Sequence, residues 1–402
     1  MIPGRIPTNL CFMIYESLLR QGLQNFREAF RQEPTSCGYA PGRVEVLGNH
    51  TDYNEGYVLS AAIDRGALFL AARSEGEVCR VIASDLKQKA EFPLRGPKPD
   101  PQKPWVNYVM GVSVKLREKG SMDVPFYGLL LGNVPLGAGL SSSAALEMST
   151  ALALTDLFGL SVKKMDLARI GQAAEHEYAG AKTGLLDQIT SLYGQKDHLV
   201  LSDFRSLEVD TVPLGGGLCF LICNTGVRHS LVDSEYNERR RSCEEATRFF
   251  ADHLDHPVRA LRDVSLEEWE RLRGAMDPVV CRRSAHIIGE NRRVLEARGH
   301  LQGAELRNFG RLMFQSHESS RTNFENSCEE LDFVVETAGE TPQVLGARLS
   351  GGGFGGSVVI LLKPEDLGMV KNRLHSAYEK RFGTPCELLS IDVSEGARIV
   401  SL

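Results

Sequence analysis

From Val134 to Leu154 the chain reads VPLGAGLSSSAALEMSTALAL, a turn of small residues feeding directly into an alanine- and leucine-rich helix. No other stretch constrains the fold as strongly. Gly137, Ala138, Gly139, Leu140, Ser141, Ser142 and Ser143 leave the backbone N–H groups open to close approach, and the helix that follows aims its positive N-terminal end at the same place. That combination is an anion cradle. The three serines either add hydroxyls for a phosphate and a divalent cation or simply cap the helix. The chain contains no Gly-Lys dipeptide, so a phosphate held here is held without the lysine of a P-loop.

Glycine makes up 39 of 402 residues, against a usual share of roughly 7%. Much of the excess falls in the serine loop and in two other motifs. ARLSGGGFGGSVVILL (347–362) puts glycines on both sides of one phenylalanine between two strand-like runs, which reads as a hairpin or as backbone drawn close to a ligand. APGRVEVLGNHTDYNEGYVLSAAID (40–64) crowds Arg43, Asn49, His50, Thr51 and Asp52 around a strand end and turn, a polar density suited to hydroxyl recognition. His50 alone reads equally well as a satisfied structural histidine. In AAEHEYAGAKTGLLDQITSLYG (173–194) the carboxylate of Asp187 lies inside an apolar stretch, where it is either buried with a partner or poised as a base beside a cation.

The length implies two or three domains. The balance of 46 basic and 52 acidic residues, net −6, carries no long single-sign run and gives no nucleic-acid footprint. No apolar run reaches the roughly 18 residues of a membrane span, and the N-terminal apolar stretch is short for a signal peptide, so a soluble cytoplasmic protein is expected. Nine scattered cysteines without a CxxC fit reduced thiols better than disulfides or a zinc site. About 35 residues of helical character precede a strand-rich region (42–90), a proline- and lysine-rich loop (93–105), and helices near 105–118, 144–158 and 163–180. A change to charged helices near residue 213 divides the chain into 1–213 and 214–402.

Together these segments resemble the GHMP kinase superfamily, and within it the galactokinases. PGRVEVLGNHTDYNEGYVL is similar to the galactokinase signature, PLGAGLSSSAALE to the family phosphate loop and GARLSGGGFGGS to its third glycine-rich motif. WVNYVMGV, GLLDQITSLYG, NTGVRHSLVDSEYNERR and RRSAHIIGENRRV add to the match in the right order. The resemblance implies an α+β fold of two domains, an N-terminal one like ribosomal S5 domain 2 and a ferredoxin-like C-terminal one, with the active site between them. It implies ATP on Gly137–Ser143 and near Ser84, Mg²⁺ on Ser143 and Glu175, and Asp187 with Arg43 as the catalytic pair. A small-molecule sugar would meet Asn49, His50, Thr51, Asp52, Tyr236 and Gly352, with no nucleic-acid or membrane partner; the oligomeric state is left open, a monomer being plausible.

Three positions depart from the family pattern. Galactokinases usually read Gly-Glu-His-Thr-Asp where this chain has Asn49, and asparagine where it has Glu45. A neutral amide at 49 opens a C6-modified sugar such as galacturonate as an alternative substrate, since Asn49 could donate to its carboxylate. Strand alternation would put Glu45 on the face of Arg43, to orient it or to bind another part of the substrate. Ser60 also replaces a family proline. A non-catalytic sugar sensor is the reading from another class, but Arg43, Asp187, Glu175 and the triple serine are all present; kinases for mevalonate or homoserine share the serine loop without HTDYNEG or SEYNERR.

Overall fold

The computed structural model describes residues 9–402 apart from 136, 182 and 229–231. The first eight residues of the expected N-terminal helix, one position of the serine loop and part of NTGVRHSLVDSEYNERR therefore lie outside the described residues. The first half comprises α1 (Asn9–Phe30), β1 (Ser36–Leu47), β2 (Tyr57–Arg73), β3 (Cys79–Ala83), β4 (Gln88–Phe92), α2 (Pro104–Arg117), β5 (Phe126–Gly132), α3 (Ser142–Phe158), α4 (Lys164–Ala174), α5 (Leu186–Tyr193), β6 (His198–Asp203) and β7 (Val209–Pro213). The second comprises β8 (Cys219–Arg228), α6 (Val232–His253), α7 (Leu266–Leu272), α8 (Pro278–Gln302), α9 (Leu306–Ser319), α10 (Glu329–Gly339), β9 (Val344–Ser350), β10 (Gly355–Leu362), α11 (Leu367–Phe382), β11 (Glu387–Ile391) and β12 (Arg398–Ile399).

The first sheet has the order β12-β1-β2-β5-β3-β4, with β6 on the other end of β2 and β7 beyond it. It is covered on both faces, which explains why β2 is apolar almost throughout instead of alternating. Leu68 and Leu70 turn toward α1 with Leu18 and Phe26, while Phe69 and Ala71 join the core beneath α2 and α3. Ala144, Ala145, Met148 and Ala151 bury the face of α3, and Gly159 at φ 64° ends that helix. Where α3 begins, β1 and the serine loop nearly touch: a Cβ on Gly42 would lie 2.4 Å from the carbonyl oxygen of Leu140. Only glycine lets the strand support the loop there.

The second sheet runs β11-β8-β10-β9, fully antiparallel, with α10 and α11 packed on one face. Its strand order is that of a ferredoxin-like unit. The long insertion α6–α9 between its first two strands has its own small core of Phe250, Leu261, Trp269, Ile287 and Phe324, and α8 lies against β2. The change of sheet falls between Pro213 and Cys219, but the chain then crosses back: β12 pairs with β1 (Gly38 with Ile399) and Val393 bridges Ile63. One apolar core runs through both halves, joining Ile222, Val359 and Ile391 to Leu47, Ile63 and Val200.

Candidate active site

The mouth of the serine loop is where β1 and α5 meet. Arg43 donates from Nε to Asp187 Oδ1 at 2.8 Å, its NH2 is 2.5 Å from the same oxygen, and NH1 donates to the Gly139 carbonyl at 2.7 Å. Ser141 Oγ donates to Asp187 Oδ2 at 2.5 Å. Residues 144 apart in sequence thus form one unit, with Asp187 in the first turn of α5, where the helix dipole favours a carboxylate. Gly137, Gly139 and Ser141 adopt positive φ (75°, 72° and 54°), the alternation of backbone that turns N–H groups inward. Ser141 stands at the cap position of α3 but makes no capping bond, because its hydroxyl goes to Asp187. The serines are therefore not explained by helix capping alone.

One turn into α3 lies a second cluster of acids. Glu175 opens a π-helical turn (Glu175–Ala179) that interrupts the end of α4, and its carboxylate accepts from Thr183 Oγ1, from Gln188 Nε2 at 3.1 Å and from the Ser143 hydroxyl. Gln188 Nε2 also donates to Glu147 at 2.9 Å. Burial raises the pKa of Glu175, with the nearby Asp187 charge adding to it, and burial next to Glu175 pushes Glu147 well above the carboxylate range. Ser84 lies beside the end of β5: its N–H donates to the Leu130 carbonyl at 2.9 Å, its Oγ accepts from Asn25 at 3.0 Å, and its neighbour Asp85 accepts from the Gly132 N–H at 2.7 Å where the serine loop departs from β5.

The turn after β1 forms the other wall. Glu290 on α8, fully buried, accepts from the Gly48 and Asn49 N–H groups at 3.0 Å each, and its second oxygen accepts from Arg293. Burial opposes that charge, but the surrounding groups, Arg293 foremost with Arg348, together outweigh it and hold the carboxyl down at about 2. Thr51 is buried and its hydroxyl donates to the Gly48 and Tyr57 carbonyls, so it closes the turn. His50 contacts the Gly352 carbonyl through Nε2 and Tyr53 Oη through Nδ1, both at 3.0 Å. A carbonyl can only accept, so Nε2 carries the proton and Nδ1 accepts from Tyr53. Burial lowers the His50 pKa to about 4, which keeps the ring neutral. Its ring packs on Tyr236 at 5.1 Å between centroids, and burial beside Asp52 raises the phenol pKa of Tyr236.

Asp52 points between this wall and α5; a Cβ on Gly184 would lie 2.4 Å from its Oδ2. Burial raises its pKa to about 6, with the charges of Glu45 and Asp187 adding to the effect. A carboxyl whose folded-state pKa lies above its unfolded value favours folding while it is protonated and loses that contribution as pH rises through about 6. Asp52→Asn is therefore expected to stabilise the ligand-free protein at pH 7.5, by at most about 3 kcal/mol for a two-unit shift, and to leave it near parental stability below pH 4. Thermal melts at the two pH values check this; a variant less stable than the parent at pH 7.5 would contradict it.

Two expectations need correction. Asn49 is 1% exposed and its amide is fully committed: Nδ2 donates to Glu45 Oε1 at 3.0 Å and the Gly351 carbonyl at 2.7 Å, and Oδ1 accepts from Asn326 at 2.9 Å. No donor is left for a sugar carboxylate. Glu45 does not orient Arg43 either: the β1–β2 register is regular from Arg43 to Glu45, yet Arg43 goes to Asp187 while Glu45 pairs with the fully buried Arg348 at 3.1 Å. Ser60, at the proline position, hydrogen-bonds to Thr190 at 2.6 Å and so ties β2 to α5.

The galactokinase galactose-binding signature matches residues 24–73, the GHMP kinases N terminal domain residues 107–195 and the GHMP kinases C terminal domain residues 301–380. Galactokinase from Pasteurella multocida (strain Pm70) is 40% identical, the alignment covering 93% of this chain and 97% of that one. The chain belongs to the galactokinase family. Galactokinase from Thermotoga maritima is 37% identical over 89% of this chain and 98% of its own. The crystal structure of Lactococcus lactis galactokinase complexed with galactose superposes with a TM-score of 0.87 at 32% identity, covering 94% of this chain and 99% of that one. A mevalonate kinase structure, at 16% identity, TM-score 0.60 and coverage of 89% and 99%, shares the GHMP fold.

Within this galactokinase framework the sequence reading missed Asn326, Arg348, Glu290, Gln188 and Glu147. Arg348 and Glu290 lie inside segments that carry the family resemblance, GARLSGGGFGGS and RRSAHIIGENRRV; a charge between Ala347 and Leu349 was the available signal for Arg348, while Glu290, followed by Asn291, Arg292 and Arg293, did not stand out. Asn326 gave none.

Proposed function

We propose that the protein transfers the γ-phosphoryl group of ATP to the anomeric hydroxyl of galactose. The carrying observation is the Arg43–Asp187–Ser141 unit at the mouth of the glycine-serine loop, which joins a carboxylate, a guanidinium and an anion cradle within hydrogen-bond distances. A sensor needs the ligands; it does not need this assembly. The loop from Gly137 to Ser143, with Ser84 at its edge, takes the nucleotide phosphates. Asp187 aligns the sugar hydroxyl and receives its proton as the O–P bond to the sugar forms and the bond to ADP breaks, while Arg43 balances charge on the transferring group. Asp52 and Tyr236 meet the sugar hydroxyls, with His50, Thr51 and the Gly352 carbonyl fixing the wall behind them.

Ser143 and Glu175 fit a Mg²⁺ ion: a hydroxyl and a carboxylate already share a hydrogen bond there, and the burial that disfavours the Glu175 charge favours a cation beside it. Two protein oxygens leave most of an octahedral shell to phosphates and water, as Mg²⁺ prefers. Bound there, the ion would supply charge neutralisation to the phosphates. No helix among the described residues is long and apolar enough to cross a membrane, and we place the enzyme in the cytoplasm, where ATP is available.

An ATP-consumption screen over galactose, N-acetylgalactosamine, galacturonate, fucose, arabinose and glucose tests the reading. Galactose is expected to exceed every other sugar by at least about tenfold in kcat/KM, the worth of one good polar contact. Turnover of none of them would favour a sensor, and galacturonate as the best substrate would overturn the galactose assignment.

A further inference from the structure

Ser143 and Glu175 sit on different elements, one in the first turn of α3 and the other opening the π-helical turn after α4, and a buried side chain from a third element reaches between them. Gln188, fully buried on α5 beside Asp187, donates from Nε2 to Glu147 Oε2 at 2.9 Å and to Glu175 Oε2 at 3.1 Å. Glu147, also fully buried, lies four residues after Ser143 and so on the same face of α3. The chain Glu147–Gln188–Glu175 therefore ties the helix of the serine loop, the π-helical turn and the helix of Asp187 together. Thr183 Oγ1 donates to the same Glu175 oxygen that Gln188 reaches. Donors on Oε2 from two directions fix the rotation of the carboxylate and leave Oε1 to other partners.

Stability alone does not account for this chain. Gln188 Oε1 and Glu147 Oε1 are both buried without a hydrogen-bond partner among the described residues, and such atoms cost folding free energy that an apolar side chain would not. The opposite amide orientation is closed, because it would turn Gln188 Oε1 onto two carboxylate oxygens. Nor can the pair swing aside: a Cβ on Gly171 of α4 would lie 2.8 Å from Glu147 Oε2 and 3.0 Å from Gln188 Cγ, so α4 is packed directly against both. What the amide supplies is direction. We infer that Gln188 is a positioning residue whose NH₂, together with Thr183, turns Glu175 so that its Oε1 meets the cation shared with Ser143, and locks that ligand to the turn of α5 that carries Asp187. This rests on the reading of Ser143 and Glu175 as the Mg²⁺ ligands given above. Outer hydrogen bonds of this kind on a ligating carboxylate are worth about 10–100-fold in metal affinity.

The test titrates Mn²⁺, a paramagnetic probe for divalent-cation sites, into the full-length protein holding ADP and reads the free ion by electron paramagnetic resonance. Gln188→Met keeps the length of the side chain and removes the NH₂. It is expected to raise the Mn²⁺ Kd at least about tenfold, while ADP binding in EDTA and the galactose KM stay within about threefold of the parent. The KM for Mg²⁺ in steady-state turnover should rise in step. Thr183→Val removes the other donor to Oε2 from a half-buried position; it is expected to weaken Mn²⁺ at least about threefold and decides the matter where Q188M does not fold. A Gln188 that only packs the helices would weaken Mn²⁺ and metal-free ADP by the same factor or lower the melting temperature alone. Either result, or a Mn²⁺ Kd within about threefold of the parent, overturns the inference. A parent that holds no Mn²⁺ beyond what ADP binds in solution overturns the Ser143–Glu175 reading as well. A parent that does hold it, with an affinity indifferent to both variants, overturns the role of Gln188 alone.

Discussion

Asp187→Asn is expected to lower kcat by about 10³-fold while the KM values for ATP and sugar stay within about tenfold and the protein still folds. The expectation comes from what the carboxylate is bonded to. Both of its oxygens accept: Oδ1 from the Arg43 fork, Oδ2 from Ser141. Asparagine has the same shape, but one of its two positions becomes an NH₂ that faces a donor. Either Arg43 or Ser141 then loses its partner, and the group that should take the hydroxyl proton no longer can. Arg43→Lys is expected to do comparable damage, because an ammonium cannot span Asp187 and the Gly139 carbonyl as the guanidinium does from Nε, NH2 and NH1. Since the two residues act as one unit, D187N/R43K should cost little more than either single change. Steady-state kinetics with a thermal melt as control decide it. A folded D187N enzyme turning over within about threefold of the parent would remove Asp187 from the chemistry.

The same unit shows what the sequence could and could not convey. The helix from Ser142 to Phe158 was legible because its small and apolar residues sustain helical spacing and Gly159 stops it. Arg43 and Asp187 could be paired only through the family resemblance, for nothing local in GRVEV or LLDQI points from one to the other. The π-helical turn that presents Glu175 has no sequence signature, since EHEYA is compatible with an ordinary α-helix. Strand β12 is two residues long, too short to show alternation, so the return of the C-terminus to the first sheet was invisible. The reading of Asn49 as a free donor, and of Glu45 as a residue that could orient Arg43, failed for a related reason. Strand periodicity placed Glu45 beside Arg43, but its partner comes from Arg348, 303 residues away, and the third partner of Asn49 from Asn326. Long-range polar pairing is set by tertiary packing, which no local pattern encodes.

That long-range pairing makes Gly353→Ala the most damaging single methyl group expected in the chain's third glycine motif. Gly353 sits at φ +81°, and a Cβ there would lie 2.1 Å from the Asn326 carbonyl oxygen and 2.7 Å from its Nδ2. Left-handed strain alone costs about 1–2 kcal/mol. The clash adds more, because Asn326 cannot retreat freely: it is fully buried, its carbonyl accepts from the Phe354 N–H at 2.7 Å, and its amide donates to Asn49 Oδ1 and the Gly352 carbonyl. Separating the loop from Asn326 breaks at least one of these bonds, each worth about 1 kcal/mol. A total loss of about 3 kcal/mol is expected, with the galactose KM rising at least about tenfold as Asn49 and Glu45 lose their support, while the ATP KM changes little. Gly352→Ala is the control one residue away. Its φ is unrestricted and its Cβ would meet only Tyr236, at an ordinary 3.8 Å, so it should melt within about 0.5 kcal/mol of the parent. If G352A and G353A lose stability equally, the glycines serve general loop flexibility and the specific approach to Asn326 is not what holds this wall of the site.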